Sequence, residues 1–252
     1  MTARVPRGDL AIVFGSGLAV VPEGAEVIDE IDYARLGWPT TSVAGHPNRL
    51  LVARWAPGRR AALRVLLACG RPHLYEGWSA AELARPVDDL AAAGALDPSL
   101  RSGDAVVVTE VVDLQNEPTD QAPVLPVLDP TGALRLATAL APLQGRAGRY
   151  VAVPGPHYET PAEAAWLRDR GEVVGMSTAA EVRAAHRFGV PVCVLSLVAN
   201  ASGAALGHAD VLAVGARLAA ALGESRGAFA AAFLSEIDGG PGDRGAQAGG
   251  AT

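Results

Sequence analysis

The chain has 252 residues, and half of them are hydrophobic, which is enough for one large α/β domain or two small ones. Its 27 acidic and 21 basic residues are interspersed and give a net charge of −6, which argues against the broad basic face of a nucleic-acid-binding protein. Without a leader pattern or an uncharged apolar stretch of about 18 residues, we expect a soluble, cytoplasmic protein with no membrane partner.

Both cysteines predict a reducing compartment. Cys69 and Cys193 lie in apolar runs, which is typical of buried thiols and not of a disulfide or a metal site. We therefore expect no metal ion.

The first half of the chain is dominated by short apolar runs that predict buried strands. They cover residues 10–18, 50–56, 61–68 and 104–114. Residues 79–95 are rich in helix-forming residues but contain Pro86, so they predict a broken helix. Residues 115–131 contain four prolines and predict an extended surface loop.

The second half alternates helices with strands. Helices are predicted over residues 131–142, 161–170, 179–188 and about 208–236, and strands over 150–155, 172–176 and 191–200. This order predicts a single α/β domain over residues 1–236, with a mixed central β-sheet flanked by helices. The Gly-rich residues 237–252 predict a disordered tail.

Three of the predicted strands end in polar residues and suggest one site at the ends of a sheet. Glu159 lies at the end of one strand and Asn200 is the last residue of another. A carboxylate with an amide could read the edge of a heterocycle while Tyr158 stacks on its face. Structural hydrogen bonds are the alternative for both polar groups. Met176, by itself, is typical of core filling.

Two further segments contain groups that could hold an anion. Ser16 lies between two glycines after the first strand, a pattern that fits either an anion site or an ordinary turn. Arg71, His73 and Tyr75 share one side if the chain stays extended, and the first two would form a phosphate clamp or a solvated strand end. His46, by itself, is typical of a loop histidine.

Seven blocks occur in a fixed order, namely GSGL, GHPNRL, GRPHLYEG, AAAGALDP, GPHYET, GMSTAAE and SLVAN. Together they resemble the trimeric purine nucleoside phosphorylases over roughly residues 10–236. The resemblance implies the nucleoside phosphorylase fold, a homotrimer, and phosphorolysis of a purine nucleoside to free base and pentose 1-phosphate. It implies no cofactor, since inorganic phosphate is a co-substrate.

The resemblance also assigns residues to the three parts of the substrates. Phosphate is assigned to Ser16, Arg71, His73, the backbone of Ala92 and Ser177, with His46 close by. The sugar is assigned to Tyr75, Met176 and His208, of which His208 reaches the 5′-hydroxyl, and the base to Tyr158, Glu159 and Asn200. The catalytic residues implied are Asn200, Glu159 and His46.

The chain departs from the family pattern in two places. The segment from Gly77 to Ala91 is short, which predicts that a helix and a central strand of the family are missing. The loop over 115–131 is also short, and the absence of Phe, Tyr and Trp between Trp78 and Tyr150 removes the aromatic lid that a neighbouring subunit supplies in the family.

Three hypotheses follow for the function. The first is a phosphorylase of 6-oxopurine nucleosides such as inosine and guanosine, or of a close analogue in a specialised nucleoside pathway, because Glu159 is accompanied by Asn200 and not by an aspartate. The second is a catalytically silent protein that binds a purine or nucleoside, which the missing strand and the missing aromatic lid favour. The third is a nucleoside hydrolase.

Overall fold

The computed structural model describes most of the chain. The described residues are 4–14, 19, 21–57, 61–83, 89–115, 121–202 and 208–238. Of the predicted disordered tail over residues 237–252, residues 237 and 238 instead form the end of the last helix, and the rest lies outside the described residues, as does Ser16.

The described residues form ten strands and six α-helices. The strands are β1 (Leu10–Phe14), β2 (Glu26–Asp32), β3 (Arg49–Trp55), β4 (Leu63–Cys69), β5 (Asp89–Ala95), β6 (Ala105–Asp113), β7 (Val124–Pro126), β8 (Arg146–Ala152), β9 (Val173–Gly175) and β10 (Val194–Ala201). The helices are α1 (Tyr33–Leu36), α2 (Ala80–Leu83), α3 (Pro130–Thr138), α4 (Pro161–Leu167), α5 (Ala179–Phe188) and α6 (His208–Asp238). Two 3₁₀ turns cover Leu74–Glu76 and Ala141–Leu143.

The strands form one mixed sheet that is partly closed on itself. Neighbours follow the order β10-β6-β8-β9-β5, and β5 pairs back with β10, so these five strands form a closed ring. From β5 the sheet continues as an open part through β1, β4, β3 and β2. The predicted α/β class with a mixed central sheet is confirmed.

The prediction of a broken helix over residues 79–95 is wrong from Asp89 onward, and residues 84–88, which contain Pro86, lie outside the described residues. Residues 89–95 form β5, which pairs in parallel with β1 and β10 and antiparallel with β9. The central strand that the spacing predicted to be missing is therefore present. Its Ala-rich sequence favours a helix by only a few tenths of a kcal/mol per residue, and pairing with three strands outweighs that preference.

Two short strands also escape the sequence pattern. The edge strand β2 is exposed at six of its seven residues and has no alternating apolar pattern. Within the predicted surface loop, β7 pairs antiparallel with β6. The predicted helix over residues 131–142 ends at Thr138 and is followed by a 3₁₀ turn.

Helices cover both faces of the sheet and bury two large apolar clusters. One cluster lies between the sheet and helices α3 and α6, and contains Phe14, Leu67, Val107, Leu136 and Phe233. The other lies between the closed ring and α5, and contains Val108, Tyr150, Val182 and Val198. None of the helices in the described part of the chain is long and apolar enough to cross a membrane.

Candidate active site

The topology brings several strand ends to one region around β5. Strands β1, β4, β5 and β10 are mutually parallel, so their carboxyl ends share one edge. Strand β9 runs in the opposite direction and pairs with the carboxyl end of β5, at Gly94 and Ala95. Gly94 of β5 pairs with Asn200 on one side and with Val174 on the other, which brings Asn200 and Met176 to opposite sides of the same strand.

A buried ion pair holds Arg71 directly after β4. The Arg71 Nε donates to Glu181 Oε1 at 2.9 Å, and Nη2 lies 2.6 Å from the same oxygen. Both side chains are almost completely buried, with 3% and 4% of their surface exposed. Gly70 is required before Arg71, because its φ is +143° and a Cβ there would lie 2.8 Å from the backbone nitrogen of Asn48. The guanidinium is therefore held in one position, beside the carboxylate of Glu181.

His46 contacts the backbone of Arg71. Its Nδ1 accepts a hydrogen bond from the Arg71 backbone N–H at 3.0 Å, which places the proton of the neutral ring on Nε2. The ring of His46 packs edge-on against His73, with centroids 5.6 Å apart. The predicted loop histidine thus belongs to the same cluster as the two residues of the phosphate clamp.

Glu76 organises the turn that carries His73 and Tyr75. The chain does not stay extended here, because residues 74–76 form a 3₁₀ turn. Glu76 Oε2 accepts from the backbone N–H of His73 at 2.9 Å and lies 3.2 Å from its Nδ1, while Oε1 accepts from the Thr41 hydroxyl at 2.8 Å. Burial opposes ionisation of Glu76, but the donors from Thr41 and His73 outweigh it and lower its pKa. Tyr75 reaches His73 by ring stacking, with centroids 4.8 Å apart.

A strained turn presents Ser177 at the start of α5. Thr178 has φ 82° and ψ −42°, and the Ala179 N–H donates to the Ser177 carbonyl at 3.0 Å, which forms a three-residue γ-turn. Such strain is typical of functional sites. The Ser177 hydroxyl lies 3.2 Å from that of the buried Tyr150. Ser177 directly precedes Thr178, the N-cap of α5, and so lies at a helix N-terminus, where backbone N–H groups and the helix dipole favour an anion.

Tyr75 and Met176 meet across Gly155. A Cβ at Gly155 would lie 2.6 Å from the Met176 sulfur and 3.0 Å from Tyr75 Cδ1, so only a glycine permits this approach. Burial raises the pKa of Tyr75 to about 12, with further contributions from Glu76 and Tyr158. Tyr75 and Tyr158 keep 38% and 40% of their surface exposed, which leaves their rings accessible to a ligand.

A hydrogen bond connects Glu159 to the end of β10. The Ser202 hydroxyl donates to Glu159 Oε2 at 2.8 Å, and the Ser202 backbone N–H donates to the Ala95 carbonyl at 2.8 Å. Asn200 lies two residues before Ser202, and its Nδ2 donates to the Ala201 carbonyl at 3.1 Å. The hydrogen bond from Ser202 therefore ties the Glu159 carboxylate to the end of β10, two residues after Asn200.

Contacts in the structure connect five of the residues that the sequence singles out, namely His46, Arg71, His73, Tyr75 and Met176. Four more lie on adjoining segments: Ser177 follows Met176, Tyr158 and Glu159 belong to the loop of Gly155, and Asn200 pairs with Gly94 of β5. Ala92 lies in β5 opposite Leu197, and His208 begins α6, but their side chains and all of Ser16 are outside the described part.

Glu181 and Ser202 hold site residues in place but are not singled out by the sequence. Glu181 belongs to the GMSTAAE block, and a carboxylate in the first turn of an amphipathic helix gives no sign of being buried. Ser202 follows the last strand, where a serine is typical of an ordinary turn.

Comparisons with known proteins agree with this geometry. Residues 78–233 match the family model described as the phosphorylase superfamily. The chain is 34% identical over 244 residues to a purine nucleoside phosphorylase of Mycobacterium leprae, which covers 86% of this chain and 87% of that protein. It is 29% identical over 244 residues to purine nucleoside phosphorylase 1 of Bacillus subtilis, covering 81% and 85% of the two chains.

Solved structures give the same result. A Schistosoma purine nucleoside phosphorylase in complex with hypoxanthine superposes with a TM-score of 0.69 at 28% identity, covering 91% of each chain. The Schistosoma mansoni enzyme in complex with inosine superposes with a TM-score of 0.69 at 26% identity, covering 88% and 89% of the two chains. The chain belongs to the phosphorylase superfamily and is an enzyme of its purine nucleoside phosphorylase family.

Proposed function

We propose that the enzyme cleaves 6-oxopurine nucleosides such as inosine and guanosine by phosphorolysis. A phosphate oxygen attacks the anomeric carbon while the N-glycosidic bond breaks. The electron pair of the breaking bond leaves with the purine. The products are the free base and pentose 1-phosphate. The observation that carries the proposal is the hydrogen bond between Ser202 and Glu159, because it brings the carboxylate to the strand end that bears Asn200.

The pairing of Glu159 with Asn200 supports the choice of base. A 6-oxopurine presents an N1–H donor, which the Glu159 carboxylate would accept, and acceptors at O6 and N7, to which the Asn200 amide would donate. Adenine has no hydrogen on N1 and carries a donor amino group at position 6. Relatives in the solved structures are described in complex with hypoxanthine, inosine and guanosine, and also with adenosine. These complexes support purine nucleosides as the substrate class, and the choice of base rests on Glu159 and Asn200.

The phosphate subsite is assigned to the cluster around Arg71. Arg71, His73 and Ser177 supply a guanidinium, an imidazole and a hydroxyl, and Ser177 stands at the N-terminus of α5. Ser16 and the backbone of Ala92 complete the subsite by resemblance. The ion pair with Glu181 supports a fixed direction for the guanidinium, so little reorganisation accompanies phosphate binding.

The nucleoside would lie between the two subsites. Tyr75 and Met176 form a wall for the sugar, Tyr158 offers a face for the base, and His208 is assigned to the 5′-hydroxyl. The transition state has oxocarbenium character, so the phosphate anion stabilises the positive sugar, and the Asn200 amide stabilises charge that grows on the departing purine. His46 is assigned a supporting role beside the phosphate. A homotrimer, a cytoplasmic location and the absence of a cofactor belong to the same proposal.

Release of base with and without phosphate tests the proposal. The enzyme is incubated with inosine and with guanosine, and free base and pentose 1-phosphate are quantified. We expect both products in equal amounts, and neither without phosphate. Release that does not depend on phosphate would identify a hydrolase. Binding of purine without any release would identify a silent homologue, although the missing strand that favoured that hypothesis is present as β5.

A further inference from the structure

We propose that Ser202 is a specificity-determining residue that favours hypoxanthine over guanine in the base pocket. The inference rests on the proposed function, since it takes Glu159 as the group that reads the base. Ser202 acts through Glu159 and is therefore a positioning residue. Its hydroxyl donates a hydrogen bond to one of the two Glu159 carboxylate oxygens before any base binds.

Ser202 holds its hydroxyl in a fixed position. The residue is 8% exposed, and its backbone N–H donates to the Ala95 carbonyl at 2.8 Å, directly after the last register pair between β5 and β10. Glu159, in contrast, lies in the loop between β8 and α4. The Ser202 bond joins residues 43 positions apart and ties this loop to the sheet. The direction of the Glu159 carboxylate is thus set by the sheet.

The far end of the same loop is also anchored. The hydroxyl and backbone N–H of Thr160 both donate to Glu163 Oε2 at 2.8 Å, which fixes the start of α4 directly after Glu159. Within the described residues, Ser202 is the one hydrogen-bond donor to the Glu159 carboxylate. Glu159 therefore offers Oε1 without a competing donor and Oε2 with one already in place.

The two bases place different demands on this carboxylate. Hypoxanthine presents one donor at this edge, N1–H, and Oε1 can accept it. Guanine presents N1–H and the 2-amino group side by side, and full recognition uses both oxygens. The Ser202 donor occupies part of the acceptor capacity of Oε2 and holds the carboxylate in the orientation that suits one donor. The second guanine contact is thereby weakened.

Binding of the two bases and turnover of their nucleosides test the inference. Hypoxanthine and guanine are titrated by calorimetry in the presence of phosphate, and kcat/KM is measured for inosine and guanosine. The variant Ser202→Ala should shift the ratio of guanine to hypoxanthine affinity about fivefold towards guanine, which is the net effect of one ordinary hydrogen bond. Ser202→Thr keeps the hydroxyl and should retain the wild-type ratio.

Two more variants make the test decisive. Ser202→Cys keeps the size but has only a weak donor, so it should shift the ratio in the same direction, and it replaces Ser202→Ala if that variant does not fold. Ser79→Ala removes a hydroxyl that donates to the Glu82 carboxylate at 2.7 Å on α2, outside the proposed base pocket, and should leave the ratio unchanged.

The outcomes separate this inference from the proposed function. A ratio within twofold of wild type in the Ser202→Ala or Ser202→Cys variant would overturn the role of Ser202, even if inosine is cleaved normally. A shifted base-binding ratio in a protein that cleaves neither nucleoside would support Ser202 and refute the phosphorolysis of 6-oxopurine nucleosides. Failure to bind either base would overturn both.

Discussion

Replacing Glu181 by Gln tests whether the buried ion pair positions Arg71 for phosphate. The change keeps the size of the side chain but removes the negative charge of Glu181 beside the guanidinium, in a place where both side chains are at most 4% exposed. Removing one partner of a buried pair costs about 3–5 kcal/mol. Because glutamine retains an oxygen that can accept from Arg71, we expect a loss of about 3 kcal/mol, which is a large part of the stability of a typical domain.

The kinetic effect should be selective for phosphate. With its hydrogen bonds to Glu181 weakened, Arg71 should lose its fixed direction. The KM for phosphate should rise about tenfold, which corresponds to about 1.4 kcal/mol of lost binding, while the KM for inosine stays within about twofold. Urea unfolding gives the stability, and initial rates at varied phosphate give the KM. A phosphate KM equal to or below that of wild type would refute the positioning role, since Glu181 would then act only as a repulsive charge.

The variant Glu236→Gln is a matched control for Glu181→Gln. Glu236 also binds one arginine through two nitrogens, with Arg135 Nε at 3.0 Å and Nη2 at 2.6 Å, but the Arg135 side chain is 48% exposed. Exposed pairs contribute little to stability. We expect almost unchanged unfolding and an unchanged KM for phosphate.

Three further predictions concern other parts of the site. The pKa of Glu76 lies below its ordinary 4.5, so the ionised carboxylate stabilises the folded protein above about pH 4.5. In urea unfolding, Glu76→Gln should therefore be less stable than wild type by the full amount at pH 7. The difference should vanish as the pH falls through the lowered pKa. The variant Gly155→Ala should raise the KM for inosine by displacing Met176, whereas Gly189→Ala, with similar positive φ and no atom within 4 Å of the new Cβ, should reduce stability only. The variant Asn200→Ala should lower kcat about 100-fold or more through loss of a donor to the leaving purine.

Each of these predictions has a result that contradicts it. A stability difference for Glu76→Gln that is the same at pH 7 and in acid would show that the hydrogen bonds of Glu76 do not favour its ionised form. Equal kinetic effects of Gly155→Ala and Gly189→Ala would remove Met176 from the sugar wall. Near wild-type turnover of Asn200→Ala would exclude Asn200 from the base pocket.

The strands and helices with clear apolar patterns could be predicted from the sequence, and those defined by tertiary pairing could not. Helix α5 and strand β10 lie close to the predicted positions because their patterns are periodic or continuously apolar. The Ala-Ala-Ala-Gly segment of β5 has neither pattern, and its conformation depends on three neighbouring strands. Among the described residues, the edge strand β2 pairs only with β3 and buries little, so its sequence resembles that of a loop.

The same division holds for the candidate site. Residues such as Arg71, His73 and Glu159 follow strands and could be found as polar groups at strand ends. Glu181 and Ser202 could not, because their partners are 110 and 43 positions away in the chain and only the fold brings them together. These two residues hold the groups that the sequence does reveal.

The ratio of kcat/KM for inosine to that for adenosine, measured at saturating phosphate, tests the central claim most directly. If Glu159 and Asn200 read a 6-oxopurine, adenosine leaves the carboxylate without its donor and sets its amino group against the Asn200 amide donor. Sites built around such hydrogen bonds discriminate strongly, so we expect a ratio of at least about 100 in favour of inosine. Comparable values for the two nucleosides, or a preference for adenosine, would contradict the account.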